Sequence, residues 1–415
     1  MDRLRESAPP AAYRLILSAP GNQTFSPRQL IPAVYAPSLL HAVGAGMLGP
    51  ALPLYAHELE ISLLSIGMLA ALQGLGAVAM DVPAGLLVSR IGGRAAMSLG
   101  MLASGAGSLA LALSTTPNQL FLAVPLAGAG TAIWATSRLA HVADVAPAEQ
   151  RGRALAMVGG TGRIGLAVGP VIGGLLSQQL GLRAAFLGHT LLALTALVLV
   201  ATQRGHRGTP GRRQEEGVHL RLLRTVADHG RSFANAGSVA VSLATLRSGR
   251  RLLVPLWGAA LGLDLAQIGF VIGLGAAVDM LLFYPVGVVM DRWGRKWTIV
   301  PCLLLLSTSL ALFPLTGSLA SFLAVTLLAG FGNGLGSGAV MTMGADLAPS
   351  DRRGEFLGVW RLIADSGGVL APALAGSLAQ ALSLGAAFPA VAVIGAIGAL
   401  VMVFRVPEGL RLTKE

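Results

Sequence analysis

The segment Ala143-Asp-Val-Ala-Pro147, followed by Arg151-Gly152, returns as Ala345-Asp-Leu-Ala-Pro349, followed by Arg353-Gly354. The offset is 345 − 143 = 202 residues. The same offset carries Pro53 onto Pro255, Ile66-Gly67 onto Ile268-Gly269, and Pro83 and Gly85 onto Pro285 and Gly287. It also carries Pro170 onto Pro372 and Gly174 onto Gly376, and no insertion is needed from Pro53 to Gly376. A fixed period held over so much chain means two copies of one structural unit.

Composition says what the unit is made of. The chain has 415 residues, of which 54% are hydrophobic and 12% charged, and its mean hydropathy is +0.70. A soluble protein of this size needs a polar surface that such a chain does not provide. At roughly 20 residues per span, the length allows about twelve helical spans. The apolar runs fall at 33–56, 64–88, 95–114, 119–141, 154–178 and 184–203, then at 235–259, 266–290, 298–316, 319–343, 355–380 and 385–405. Each is too long and too uniformly apolar to be an alternating barrel strand. The expected organisation is an N-terminal tail (1–32), a six-helix bundle (33–203), a basic linker (204–234), a second six-helix bundle (235–405) and a short tail (406–415). The first 28 residues hold four Arg, four Pro and no long apolar run, so no secretory leader is expected there.

The net charge of +11 records topology. With twelve spans both tails lie on one side, and the tails and loops of that side carry 23 of the 30 basic residues; the opposite loops hold Arg183, with Arg250 and Arg251 near one helix end. Basic loops stay cytoplasmic, which places both termini in the cytoplasm. Nucleic-acid binding is not expected, and the lipid bilayer is the surrounding partner. The single cysteine, Cys302, excludes a disulfide framework and any multi-cysteine metal site.

Two loops carry a repeated motif. After the second span comes Gly85-Leu-Leu-Val-Ser89-Arg90-Ile-Gly92-Gly93-Arg94, and after the eighth comes Gly287-Val-Val-Met-Asp291-Arg292-Trp-Gly294-Arg295-Lys296. Glycines allow close helix approach and positive φ, and the basic residues hold the turn to the cytoplasmic face. Both copies resemble the loop signature of the major facilitator superfamily, and the second matches it fully. In the first, Ser89 stands where the family usually has Asp. The resemblance implies a charge relay from this loop to the end of span 4, here Asp144 and its equivalent Asp346, and to the start of span 11. Span 5 carries Gly165-Leu-Ala-Val-Gly169-Pro170-Val-Ile-Gly173-Gly174. This is similar to the antiporter signature of the drug/proton exporters in that superfamily. Its glycines form a flat packing face, and Pro170 removes a backbone hydrogen bond and bends the helix. The arginine usual in span 4 of these exporters would fall near Val124, ahead of Gly128 and Gly130, and is absent.

Seven charges fall away from the loops: Asp81, Arg138, Arg163, Arg247, Asp279, Arg361 and Asp365. Each costs about 2.5–3.5 kcal/mol at a helix centre, so they must pair or face a water-filled cavity. Arg163 and Asp365 are equivalents across the offset, and Arg361 lies one turn before Asp365 and is able to pair with it. Asp279, Asp365 and Asp81 are the candidates for carrying a coupling proton, which requires a carboxylate that responds to burial and to a cation. Arg163, Arg247, Arg361, His41, Gln73, Trp134 and Asn333 are the candidates for lining a substrate cavity. Trp257, Trp360 and Phe283 are further candidates for apolar walls.

No phosphate loop, metal-binding His/Cys cluster or nucleophile elbow occurs, so neither an enzyme nor a cofactor is expected. The expectation is a monomeric all-α transporter of a bacterial inner membrane, coupling protons to the export of amphipathic small molecules or drugs. Its nearest rival carries a small polar or anionic metabolite on the midplane arginines. A transport-dead receptor or scaffold on the same fold is the rival of another class.

Overall fold

A computed structural model of the chain describes residues 30–203, 225–349 and 352–408. Most of the expected tails, 1–32 and 406–415, and of the linker, 204–234, lies outside the described residues. Twelve long helices, and no strand, occur among the described residues. In the first half these are α1 (Ile31–Glu58), α2 (Leu63–Ile91), α3 (Gly93–Leu113), α4 (Pro117–Val145), α5 (Ala148–Leu180) and α6 (Arg183–Ala201). In the second they are α7 (Ser238–Ala260), α8 (Leu265–Trp293), α9 (Lys296–Leu315), α10 (Leu319–Leu347), α11 (Arg353–Ala381) and α12 (Leu384–Phe404). Eleven of them are long and apolar enough to cross a membrane. The exception is α7, which carries Arg247, Arg250 and Arg251.

The repeat is written into the backbone. Both ends of α2 map onto both ends of α8 at the offset, since 265 − 63 and 293 − 91 are each 202, and α4 maps likewise onto α10. A π-helical turn at Ile31–Tyr35 opens α1, and its equivalent at Phe233–Gly237 leads into α7. Ser62 and Asp264, again equivalents, cap α2 and α8 by accepting the backbone N–H of Ser65 and Gln267. The turns after α2 and α8 rest on Gly92 (φ 82°) and Gly294 (φ 106°), a left-handed conformation that favours glycine. The helices overrun the apolar stretches, most clearly in α5, whose first turns carry Arg151 and Arg153. Helical hydrogen bonding continues past the residues that hydropathy selects.

The result is two pseudo-symmetric six-helix bundles. They meet along two equivalent crossings, α2 on α11 and α8 on α5, with a lesser contact of α1 on α7. Each crossing is closed by glycine at the end away from the basic loops. A Cβ on Gly376 would lie 2.5 Å from the carbonyl oxygen of Leu63 and 2.9 Å from Cα of Gly67. A Cβ on Gly174 would lie 2.5 Å from the carbonyl oxygen of Leu265 and 3.1 Å from Cα of Gly269. Only hydrogen fits there, so the backbones touch. The free N–H at the start of each crossing helix is satisfied from the other half: Leu63 donates to Oε1 of Gln380 and Leu265 to Oε1 of Gln178, both at 3.1 Å. Toward the basic loops the picture reverses. A Cβ on Gly85, Gly152, Gly159, Gly160, Gly162, Gly287, Gly354 or Gly358 would meet nothing within 4 Å. The halves are sealed at one end, and toward the other these glycines face open space.

Candidate functional site

The charged layer lies between these ends. Arg163 of α5 approaches Asp279 of α8, with Nη1 at 3.3 Å from Oδ1. Its guanidinium carbon stands 4.5 Å from the centroid of the Phe283 ring. Asp279 also accepts from the Ser337 hydroxyl at 3.3 Å. On the other crossing, Arg361 of α11 reaches Asp81 of α2 at 3.4 Å and Asp365, one turn along its own helix, at 3.5 Å. Each crossing thus has its own arginine–aspartate contact. The two are not equivalents at the offset. Arg361 sits four residues before the equivalent of Arg163 (361 + 4 = 163 + 202). Asp81 sits four after the equivalent of Asp279 (81 − 4 = 279 − 202). Because α11 and α2 run in opposite directions, both shifts move the second pair toward the basic loops by one turn, about 5.4 Å. Phe283, under Arg163, occupies the position equivalent to Asp81.

A gap in α10 completes the layer. Its two helical pieces, Leu319–Leu335 and Ala339–Leu347, are separated at residues 336–338, and Gly338 has φ 75°. The equivalent residues of α4 are continuous helix. Arg247 of α7 fills the gap, donating from Nε to Oδ1 of Asn333 at 2.7 Å and from Nη2 to the Gly336 carbonyl at 3.0 Å. Unwound backbone at membrane depth is tolerated where it lines a protein site and its polar groups are engaged. The run Gly332-Asn-Gly334-Leu-Gly336-Ser-Gly338 is the sequence signal for it.

Two candidates for the cavity wall lie elsewhere. His41 and Trp134 are 5% and 1% exposed and face the interior of the first bundle. The His41 ring packs against Trp134 at 5.8 Å and against His189 at 5.5 Å. His189 in turn contacts the Ser108 hydroxyl through Nδ1 at 3.0 Å, and Arg138 stacks over Trp134 at 5.6 Å. The physical reason is rotational. A helix apolar all round has no polar face to fix which side meets its own bundle, so a polar residue on it does not show where it points. Gln73 is half-buried where α2 meets α4, its carbonyl against Gly128. Trp360 is buried, donating to the Val340 carbonyl at 3.0 Å.

The basic loops show what the repeat kept. Arg295 donates from Nε to Oδ2 of Asp346 at 2.8 Å and contacts Asp291 at 3.4 Å. The hydrogen bond that Arg295 donates to Asp346 raises the Arg295 pKa above its ordinary value. In the first half the residue equivalent to Arg295 is Gly93, since 295 − 202 = 93. The missing latch there is therefore a matter of Gly93 as well as Ser89, and Asp144 has no bonded partner among the described residues. Arg94 corresponds instead to Lys296, and these two share a role. Arg94 donates to the Gln203 carbonyl at 2.6 Å, beyond the C-terminus of α6, and Lys296 to the Val403 carbonyl at 2.8 Å, near the C-terminus of α12. A cation suits a helix C-terminus. Arg90 and Arg292 are exposed. The span-5 glycines divide their work. Gly165, Gly169 and Gly173 face Ala42, Gly46 and Met47 of α1, while Gly174 faces α8 and the Pro170 carbonyl is seated against Gly269.

A family model, the Major Facilitator Superfamily, matches residues 38–278 and 239–415. The chain belongs to this superfamily. An uncharacterised transporter of the superfamily from Methanocaldococcus jannaschii is 20% identical over 346 residues, covering 82% of this chain and 89% of the relative. Multidrug resistance protein 1 of Bacillus subtilis is 24% identical over 337 residues, covering 81% and 86%. Multidrug resistance protein MdtH of Yersinia pestis is 26% identical over 323 residues, covering 76% and 78%. Among solved structures, the nucleoside transporter NupG superposes with a TM-score of 0.77 at 12% identity, over 92% of this chain and 100% of that one. A bacterial homologue of the lysosomal transporter Spinster, inward-facing and occupied, gives 0.73 at 16% identity, over 91% and 96%. The family and these relatives make the chain a membrane transporter of small molecules, not an enzyme.

Proposed function

We propose that the chain is a proton-coupled exporter of amphipathic small molecules in a bacterial inner membrane, working by alternating access with both termini in the cytoplasm. The observation that carries this reading is the pair of arginine–aspartate contacts that bridge the two crossings at mid-depth. A charge pair 4 Å apart is worth about 4 kcal/mol before desolvation at the effective dielectric of a protein. Protonating the aspartate removes that attraction and leaves the crossing held by packing alone. On this reading Asp279 and Asp81 couple a proton to the separation of the halves, and Asp365 exchanges Arg361 with Asp81. The end that carries the basic loops, where the glycines toward those loops face open space, is the cytoplasmic entrance on this reading. Cargo enters between α1, α7 and the charged layer. The named multidrug relatives support export as its direction.

Everted membrane vesicles test the reading. With an imposed pH gradient, vesicles holding the wild-type chain accumulate a substrate dye, and Asp279→Asn or Asp365→Asn abolishes accumulation. Full transport by both variants overturns the proton assignment. Absence of any pH-driven flux in proteoliposomes made with well-folded protein favours the scaffold reading.

A further inference from the structure

We propose that Arg247, Arg250 and Arg251 on α7 form the site for an anionic group on the cargo: a carboxylate, sulfonate or phosphate. The proposal rests on the transporter reading above and names the class of molecule carried. Of the three arginines expected from sequence to hold an anion, Arg163, Arg247 and Arg361, the first and last are already opposite carboxylates. The α7 row is not. Arg247 is held only by neutral oxygens, those of Asn333 and Gly336. Arg251 donates only to the Ser248 hydroxyl, at 2.9 Å. Arg250 makes no hydrogen bond or ion pair with any described residue, and the charges of Asp279, Arg247 and Arg251 act on it.

Position and depth fit a binding site. Spacings of three and four residues put all three side chains on one side of the helix. Arg250 is ten residues from the end of α7 at Ala260, about 15 Å along the axis and so near the middle of a ~30 Å hydrocarbon core. From sequence, Arg250 and Arg251 read as residues near a helix end. The α1 equivalents, 202 residues earlier, are Ala45, Leu48 and Gly49. The row is therefore an addition to the repeated scaffold, which folds without it in the first half. Gly49 has open space where a Cβ would point. The row is also why α7 alone among the twelve helices falls short as an apolar span. Charges at this depth are kept where they meet a counter-charge or a functional ligand. Arginine, planar and always charged, suits two-point contact with carboxylate and phosphate oxygens. Two residues beyond the Gly336 carbonyl that Arg247 holds, Gly338 caps the second piece of α10. The N-terminal end of that piece adds partial positive charge to the same place.

The full chain, purified in detergent, is titrated with carboxyfluorescein, benzenesulfonate and inorganic phosphate as anions, and with ethidium as a cation. Binding is read by thermal shift and, for the dyes, by anisotropy. At least one anion stabilises the wild-type protein, and Arg250→Gln and Arg251→Gln each weaken it tenfold or more. Arg250→Lys retains part of the affinity, and Arg183→Gln, at the start of α6, leaves it unchanged. Arg251 is exposed and bonded only to Ser248, so Arg251→Gln keeps the test open should Arg250→Gln misfold. Ethidium binding without any anion response overturns the proposal, as does undiminished anion affinity in the two Gln variants. pH-driven ethidium flux without anion binding sinks this site and leaves the transporter reading standing. Anion binding lost in the Gln variants, with no flux of any probe, sinks the transporter reading and leaves the site standing.

Discussion

Gly174→Ala and Gly376→Ala place a methyl carbon 2.5 Å from the carbonyl oxygens of Leu265 and Leu63. An ordinary contact needs about 1–1.5 Å more, so α5 must part from α8, and α11 from α2, by about that amount. Overpacking of this kind costs about 1–3 kcal/mol. On the alternating-access reading the cost falls on the state with this end sealed and is absent once the end opens. One substitution then shifts the equilibrium toward the open state about 5–150-fold. The two sites lie on different crossings, so their effects add to about 2–6 kcal/mol in the double variant. The readout is alkylation of a reporter thiol. Leu252, 3% exposed, lines a small cavity at this end together with Ala56 and Ile66, and Leu252→Cys in a Cys302→Ala background supplies the thiol. Its reaction with an impermeant maleimide accelerates by the same factor as the population of the open state. Gly160→Ala, where a methyl meets nothing within 4 Å, is the control. An unchanged rate in folded Gly174→Ala, or an equal rise in Gly160→Ala, refutes the account of the seal.

The basic loops predict an asymmetric response. Asp346→Asn takes a charged partner from Arg295 and lowers stability by about 1–3 kcal/mol, whereas Asp144→Asn stays within about 0.5 kcal/mol; thermal unfolding in detergent checks both, and equal losses would contradict the distinction. Gly44→Ala drives a methyl into the His189 ring, whose Cγ would be 2.9 Å away. It destabilises the first bundle by about 1–3 kcal/mol, and combining it with His189→Ala recovers part of the loss, a coupling that a double-mutant cycle in melting temperature measures.

The fold was legible because two signals were coarse and strong. Apolar runs of about 20 residues set the helices, and a single offset set their pairing into halves. The charges that pair across the halves were legible for an energetic reason. A lone arginine or aspartate at mid-depth is too costly to stand alone, so Arg163, Asp279, Arg361, Asp365 and Asp81 had to find one another or water. What escaped was azimuth and depth. His41 and Trp134 read as cavity residues because uniformly apolar helices give no clue to which side faces inward. Arg250 and Arg251 read as a helix end because hydropathy falls wherever charges cluster, at an end or in the middle. The break in α10 was hidden by its own glycines, which equally announce close packing. Gln178 and Gln380 carry no motif, and only their equivalence at the offset marks them.

The seal has a further consequence. Gly67 meets Pro372 and Gly376 as Gly269 meets Pro170 and Gly174, so each half presents the surface that it also receives. This is the geometry of an isologous two-fold dimer, realised inside one polypeptide. Identical halves could form such a contact without being joined. They could not form the charged layer, because Asp81 is matched by Phe283, Arg163 by Asp365, Arg361 by Gly159 and Arg247 by Ala45. Two copies of the first half would lack Arg361 and Arg247, and two copies of the second would lack Asp81 and Arg163. Fusion into a single chain frees the middle of the molecule from the symmetry that its rim still obeys, and a two-sided lock is able to enclose a one-sided chemistry.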